Sequence, residues 1–373
     1  MMALPAAAFE TKARSAIVVD VGTGQTLMDK NADMALPPAS MSKLMTLNMV
    51  FEALEDGRLS LDQIVPVSNE AAKYGGSSMF LTDQDRVTIE ELIRGVIVLS
   101  GNDASAVLAE AVSPDGTEAG FSKMMTERGV QLGLTKSTFM NSNGWPAPGH
   151  RMSTRDLAIL GERLITAFPQ YYGYFAETEF AFDGRVPDNR FNRNPLLKLD
   201  IGADGLKTGH TQEAGYGLVG SAVQGQRRIV FVLTGLDSER DRAEESERIA
   251  NWAFRQFAEK QIAEEGVILT RAPVWMGSAA QVGLATRTDV STLVPILNRD
   301  GVKAKISYQG PLEAPINAGD TVAQLVVSAP GLSDVSHDLV ATETVTTGGF
   351  MVKLRTAALV LLRELTGQAA AYF

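Results

Sequence analysis

The sequence predicts an α+β protein, with an antiparallel sheet flanked by helices, followed by a small all-β domain of sandwich type. Three observations carry this. Strand-like runs open the chain (SAIVVDV, then QTLMDKN), helical patterns fill the middle, and strand patterns return as DGLKTG, GYGLVGSAV and RRIVFVLTGL. A length of 373 residues exceeds one ordinary domain, which favours a main domain plus a smaller one.

In order, the opening runs are joined by turn residues Gly22 to Gly24 and read as a hairpin. After Pro37 and Pro38, residues 40–54 place Leu44, Leu47, Phe51 and Leu54 at helical spacings, and Gly57 ends a helix that looks largely buried. Helical patterns recur at 88–99, 103–112, 120–132 and 154–167. A Gln224-Gly225-Gln226 turn joins the last two of the three returning strands into one antiparallel sheet. A helix over 241–259, with Ile249, Trp252, Ala253 and Phe257 on one side, closes the domain.

Beyond Glu265, short alternating strands such as VKAKISY and TVAQLVVSA lie between glycines and prolines. The expected organisation is therefore a main domain over 9–262, a β-rich domain over 263–345 and a terminal segment over 346–373. A helix over 350–365 would carry Phe350, Met351, Leu354, Ala358, Leu361, Leu362 and Leu365 on one face, with Lys353, Thr356, Arg363 and Glu364 turned away. It is too short and too charged to span a bilayer, yet it can lie in a membrane interface or pack on protein. Residues 1–8 end in LPAAAF, either the small-residue end of an export signal or a frayed terminus.

Composition excludes several functions. A net charge of −10 argues against nucleic acid, whose phosphates need clustered cations. The absence of cysteine removes disulfides, thiolate metal sites and cysteine nucleophiles. His150, His210 and His337 lie far apart and form no H-x-x-x-H pair, so neither a metal nor another cofactor is expected.

Three short motifs carry chemistry. A serine hydroxyl needs a base to become a nucleophile, and a neutral lysine can serve. On a helix, Lys43 shares a face with Ser40, so its amine can reach Oγ. The plainer alternative is a capping serine beside a solvated lysine. In Ser100-Gly101-Asn102, between two helical patterns, the serine can relay a proton and the asparagine amide can position a peptide. In Lys207-Thr208-Gly209, ending a strand, a cation and a hydroxyl can hold a carboxylate, and the glycine permits close approach. Each motif alone is weak; their order is specific.

With all three in sequence, the chain resembles the penicillin-interacting serine enzymes, specifically the low-molecular-mass penicillin-binding proteins of class C type 5, the D-alanyl-D-alanine carboxypeptidases of the peptidase S11 family. KNADMALPPASMSKLMT, GGSSMFL, SGNDASAVLAE, STRDLA, NRNPLL and DGLKTGHTQEAGYGLVGSA all look like stretches of that family. The resemblance implies a penicilloyl serine transferase (β-lactamase/DD-peptidase-like) domain, a C-terminal β domain and a membrane-surface anchor.

It also implies roles. Ser40 attacks the carbonyl between two terminal D-alanines, and Lys43 is its general base, with burial and the second cation Lys207 lowering its proton affinity. Ser100 passes a proton to the leaving amine and Asn102 holds the substrate amide. The backbone N–H groups of Ser40 and His210 form the oxyanion hole. Lys207, Thr208, Gly209, Thr211 and Arg242 bind the substrate's carboxylate end, with Arg193 in support or merely packed. Arg242 also reads as an exposed arginine at a helix start.

Gly101 stands where class A β-lactamases have Asp, and no E-x-x-L-N stretch supplies a deacylating glutamate. β-Lactams should therefore be lasting covalent inhibitors. The implied substrate is a peptidoglycan stem peptide ending in D-Ala-D-Ala, which puts the enzyme on the periplasmic face of the inner membrane. The alternatives are an endopeptidase acting on cross-linked peptidoglycan and a catalytically silent cell-wall-binding module.

Overall fold

The computed structural model describes residues 9–349, apart from the side chains of 298–300. The expected export-signal remnant and the amphipathic segment over 350–365 lie outside that range. No helix among the described residues is long and apolar enough to cross a membrane. The chain forms two compact units, divided between Arg255 and Gln256.

The first unit runs β1 (Ser15–Asp20), β2 (Thr26–Lys30), α1 (Lys43–Glu55), β3 (Ile64–Pro66), α2 (Asn69–Ala72), β4 (Arg86–Thr88), α3 (Ile89–Arg94) and α4 (Asn102–Val112). It continues with α5 (Glu118–Gln131), α6 (Thr154–Ala167), α7 (Pro169–Tyr172), β5 (Ala203–Thr211), β6 (Gly215–Gln224), β7 (Arg227–Leu236) and α8 (Glu239–Arg255). The expected hairpin and the three later strands belong to one antiparallel sheet, ordered β2-β1-β7-β6-β5. The join is β1 against β7, with Ile17 opposite Val232. β5, which carries Lys207-Thr208-Gly209, is left at one edge.

Helix α1 is buried almost all round, with Leu44, Leu47, Val50 and Phe51 fully enclosed, as befits a central helix. Helix α6 keeps the bounds its pattern predicts. Ser153 caps it, its Oγ accepting from Asp156 N at 3.0 Å, and Leu157, Leu160 and Leu164 form its buried stripe. Helix α3 starts with a capping box between Thr88 and Glu91 and runs into a wider π turn, Gly95–Leu99. That turn ends at Ser100 in the left-handed region.

Helix α8 stops at Arg255, short of the expected 259, and Phe257 begins a strand instead of extending the helix face. The second unit consists of β8 (Phe257–Ala263), β9 (Thr270–Trp275), β10 (Gln281–Thr286), β11 (Val290–Pro295), β12 (Lys303–Ser307), β13 (Leu312–Glu313), β14 (Thr321–Ser328) and β15 (Val335–Ala341). Six strands make one sheet, ordered β12-β14-β15-β10-β9-β13, and β8 pairs with β11. That pairing puts Phe257–Ala263 in the second unit, so the division falls before the expected 262. Alternation along β14 sends Ala323, Leu325 and Val327 into a core shared with Val282, Leu284 and Leu339.

Candidate active site

The nucleophile motif does not begin on the α-helix. Ala39–Ser42 is a 3₁₀ turn, and α1 starts only at Lys43. In a 3₁₀ turn, side chains three apart eclipse, so Lys43 comes directly under Ser40, with Nζ 3.0 Å from Oγ. The turn opens with Ala39 at φ 49°, a conformation held only by close neighbours. On one side lies Gly209 of β5, where a Cβ would come within 3.0 Å of Pro38 O. On the other is Gly144, at φ 81°, where a Cβ would meet Ala39 O at 1.9 Å.

Lys43 is wholly buried. Its Nζ lies 2.7 Å from Asn102 Oδ1 and 2.6 Å from Asn143 O. A neutral amine has two hydrogens and one lone pair. The two acceptors take the hydrogens, which leaves the lone pair for the Ser40 hydroxyl. Burial holds the Lys43 ammonium well below the usual lysine range, with the Arg193 guanidinium as the next cause, while Asp103 and Glu118 oppose the shift. Arg193 thus joins Lys207, the second cation the sequence suggested, in opposing a proton on Lys43, since repulsion between the two amines acts on both. Lys207 is itself pushed well down, by burial and then by repulsion from Lys43.

The second and third motifs meet directly. Lys207 Nζ donates to Ser100 Oγ at 2.9 Å and to Thr208 O at 3.2 Å. Ser100, with φ 59°, is turned there by the π turn before it. Asn102 is fixed twice, its N donating to Ser77 O and its Nδ2 to Gly75 O, both at 2.8 Å. Arg193 clasps the same loops, donating to Ser77 Oγ at 2.9 Å and to Leu99 O. It belongs to the site and is more than packing.

Arg242 is buried, not an exposed arginine at a helix start. Its Nη2 donates to Glu239 Oε1 at 2.6 Å and to Arg193 O at 3.3 Å, and its buried Nε has no hydrogen-bond partner among the described residues. The Tyr216 ring touches both Arg242, 5.8 Å from the guanidinium, and His210, stacked at 3.9 Å between centroids. The His210 side chain is exposed. Thr208 is buried beside Lys207, and Thr211 Oγ1 accepts from Ala214 N at 3.0 Å.

Sequence reasoning missed Asn143, whose contribution is a backbone carbonyl, and Tyr216. Only the turn-rich NSNG run marked the first. It also passed over His150, a buried ring behind the nucleophile turn. Its Nδ1 accepts from Met140 N at 3.3 Å, so the hydrogen is on Nε2, which lies 2.8 Å from Ser42 Oγ. Burial, then Arg151 and Lys43, lower its pKa from 6.5 to about 4.

Above pH 6.5 both folded and unfolded chains hold this imidazole neutral. As pH falls towards 4, only the unfolded chain takes up a proton. Stability from this group should fall by about 1.4 kcal/mol per pH unit over that window, roughly 3 kcal/mol in all. Denaturant midpoints measured from pH 7 to 4 should show a steeper decline for the native chain than for His150→Gln. Parallel declines would exclude the effect.

A serine beside a buried amine, a second serine on a second amine, and two arginines bring together the groups that an active-serine acyl transfer requires. The comparisons agree. A family model for D-alanyl-D-alanine carboxypeptidases, peptidase S11, matches residues 2–238, and a model for the penicillin-binding protein 5 C-terminal domain matches residues 257–347. The D-alanyl-D-alanine carboxypeptidase DacC of Escherichia coli is 36% identical over 347 residues, 91% of this chain and 85% of its own. The crystal structure of penicillin-binding protein 5 from Haemophilus influenzae superposes with a TM-score of 0.81 at 31% identity, over 91% of this chain and 98% of that one. Penicillin-binding protein D2 from Listeria monocytogenes, in its ampicillin-bound form, matches with a TM-score of 0.60 at 29% identity, over 66% of this chain and 99% of its own. The chain belongs to the peptidase S11 family of D-alanyl-D-alanine carboxypeptidases.

Proposed function

We propose that this chain is a serine-type carboxypeptidase that removes the terminal D-alanine from peptidoglycan stem peptides ending in D-Ala-D-Ala, and that β-lactams inhibit it covalently. The observation that carries this reading is the 3.0 Å contact between Ser40 Oγ and a buried Lys43 amine whose other two positions are already engaged. Ser40 Oγ attacks the penultimate carbonyl carbon as its proton passes to Lys43 Nζ. The N–H groups of Ser40 and His210 hold the oxyanion. Collapse breaks the C–N bond, Ser100 delivers its proton to the leaving nitrogen and takes the one held on Lys43 Nζ in its place, and free D-alanine departs with Lys43 neutral again. Water, deprotonated by Lys43, then attacks the ester, and that proton returns to Ser40 Oγ as the shortened peptide leaves.

Lys207, Thr208, Thr211 and Arg242 receive the substrate's carboxylate, and the unpartnered Arg242 Nε offers a donor for it. Asn102, with one amide hydrogen beyond its bond to Gly75, holds the substrate amide. Neither the endopeptidase nor the silent-module alternative has an observation of its own in its favour. Because stem peptides lie outside the cytoplasmic membrane, the site of action is the periplasmic face, with the segment over 350–365 at the membrane surface.

The test is to incubate the chain with a stem pentapeptide and measure free D-alanine, then with a labelled penicillin and map the adduct. Stoichiometric release and a label on Ser40 are expected. No release and no label would defeat the reading.

A further inference from the structure

The Lys43 amine is aimed by its two fixed acceptors, and one of them, Asn143 O, sits on a loop with no regular structure to hold it. What holds it is a carboxylate at the start of α5. Glu118 Oε1 accepts from Ser142 N at 2.9 Å, from Ser142 Oγ at 2.5 Å and from Asn143 Nδ2 at 3.5 Å. Its other oxygen accepts from the Tyr74 hydroxyl. The Ser142 carbonyl in turn accepts from Thr46 Oγ1 on α1 at 2.5 Å and from Ser105 Oγ on α4 at 2.9 Å. Residues 142 and 143 are thereby tied to the helix bearing Lys43, to the helix bearing Asn102 and to a charge on a third helix.

We propose that Glu118 is a positioning residue for the reaction: by clamping Ser142 and Asn143 it fixes the carbonyl that takes one hydrogen of Lys43 Nζ, and so points the remaining lone pair at Ser40. This rests on the reading of Lys43 as the general base. Structural service alone would explain the hydrogen bonds to Ser142. It would not explain why the clamped carbonyl is the one that meets the base, at 2.6 Å, the shortest of the three Nζ contacts.

The carboxylate also acts through space. The charged and titratable groups facing Lys43 are Asp103 from α4, Glu118 from α5, Arg193 from the loop before Pro195, Lys207 from β5 and His150 from the loop before α6; Glu118 itself faces Tyr74 and Glu110. Glu118 and Asp103 favour the protonated amine, against burial and Arg193. Removing the Glu118 charge while keeping an acceptor should therefore free the amine at lower pH.

The experiment follows labelled-penicillin acylation of Ser40 against pH in the full chain and two variants. Glu118→Ala, which loses the clamp, should react about tenfold or more slowly on the pH plateau, because a loosened base misses its geometry. Glu118→Gln, of the same size and with an acceptor oxygen for Ser142, should recover most of that rate, with its acid limb moved to lower pH than in the native chain. A native plateau rate in Glu118→Ala, no recovery in Glu118→Gln, or a native acid limb in Glu118→Gln would each overturn the proposal. If Glu118→Ala does not fold, the acid limb of Glu118→Gln decides alone. A native chain that takes no label would instead defeat the general-base reading beneath it.

Discussion

Replacing Lys43 with methionine should cut acylation of Ser40 about 10³-fold, almost as severely as Ser40→Ala, although the nucleophile remains. Methionine fills similar space without a basic atom. The serine keeps its place on the 3₁₀ turn but loses the amine 3.0 Å from its Oγ. The substitution also leaves Asn102 Oδ1 and Asn143 O buried without their shared donor, at about 1–3 kcal/mol for each unmet acceptor. Stability must therefore be measured beside activity. A Lys43→Met chain that is folded by circular dichroism and acylates within tenfold of native would remove lysine from the base's role.

Gly144→Ala should be severely damaging although the residue contributes no side chain. Two penalties add. At φ 81° an alanine is strained by about 1–2 kcal/mol. Its Cβ would also sit 1.9 Å from the Ala39 carbonyl, so either the loop or the nucleophile turn must move. With overpacking at about 1–3 kcal/mol, the combined loss is roughly 2–5 kcal/mol. Since Asn143 precedes this glycine and Ser40 follows Ala39, any relaxation separates the base's acceptor from the nucleophile. A chemical-denaturation midpoint and the penicillin-labelling rate should fall together. A variant equal to native in both would show that the contact is not tight.

How much of this was legible in the sequence depended on which physical signal each feature carries. Helix α6 was readable at both ends because Ser153 offers a cap and Leu157, Leu160 and Leu164 repeat at helical spacing. The three motifs were readable because their chemistry resides in side chains. Ser40 and Lys43 were expected to share an α-helical face and in fact share a 3₁₀ turn, since two prolines and the left-handed Ala39 tighten the entry. The π turn before Ser100 was hidden, because Gly95–Leu99 continues the apolar pattern of α3 without a break. The part played by Asn143 was invisible in principle: any residue supplies a carbonyl, and only the fold decides where it points. Arg242 was chosen through resemblance, whereas its burial beside Arg193 depends on strands and helices distant in sequence.

The crowding of Lys43, Lys207, Arg193 and Arg242 amounts to a division of labour between two kinds of base. A guanidinium keeps its proton in almost any protein setting, while an amine surrenders one when deprived of water. The arginines can therefore act as permanent like charges that make deprotonation of their amine neighbours easier. Exchanging Lys43 for arginine would keep a basic residue and forfeit its chemistry, turning a proton acceptor into one more fixed cation.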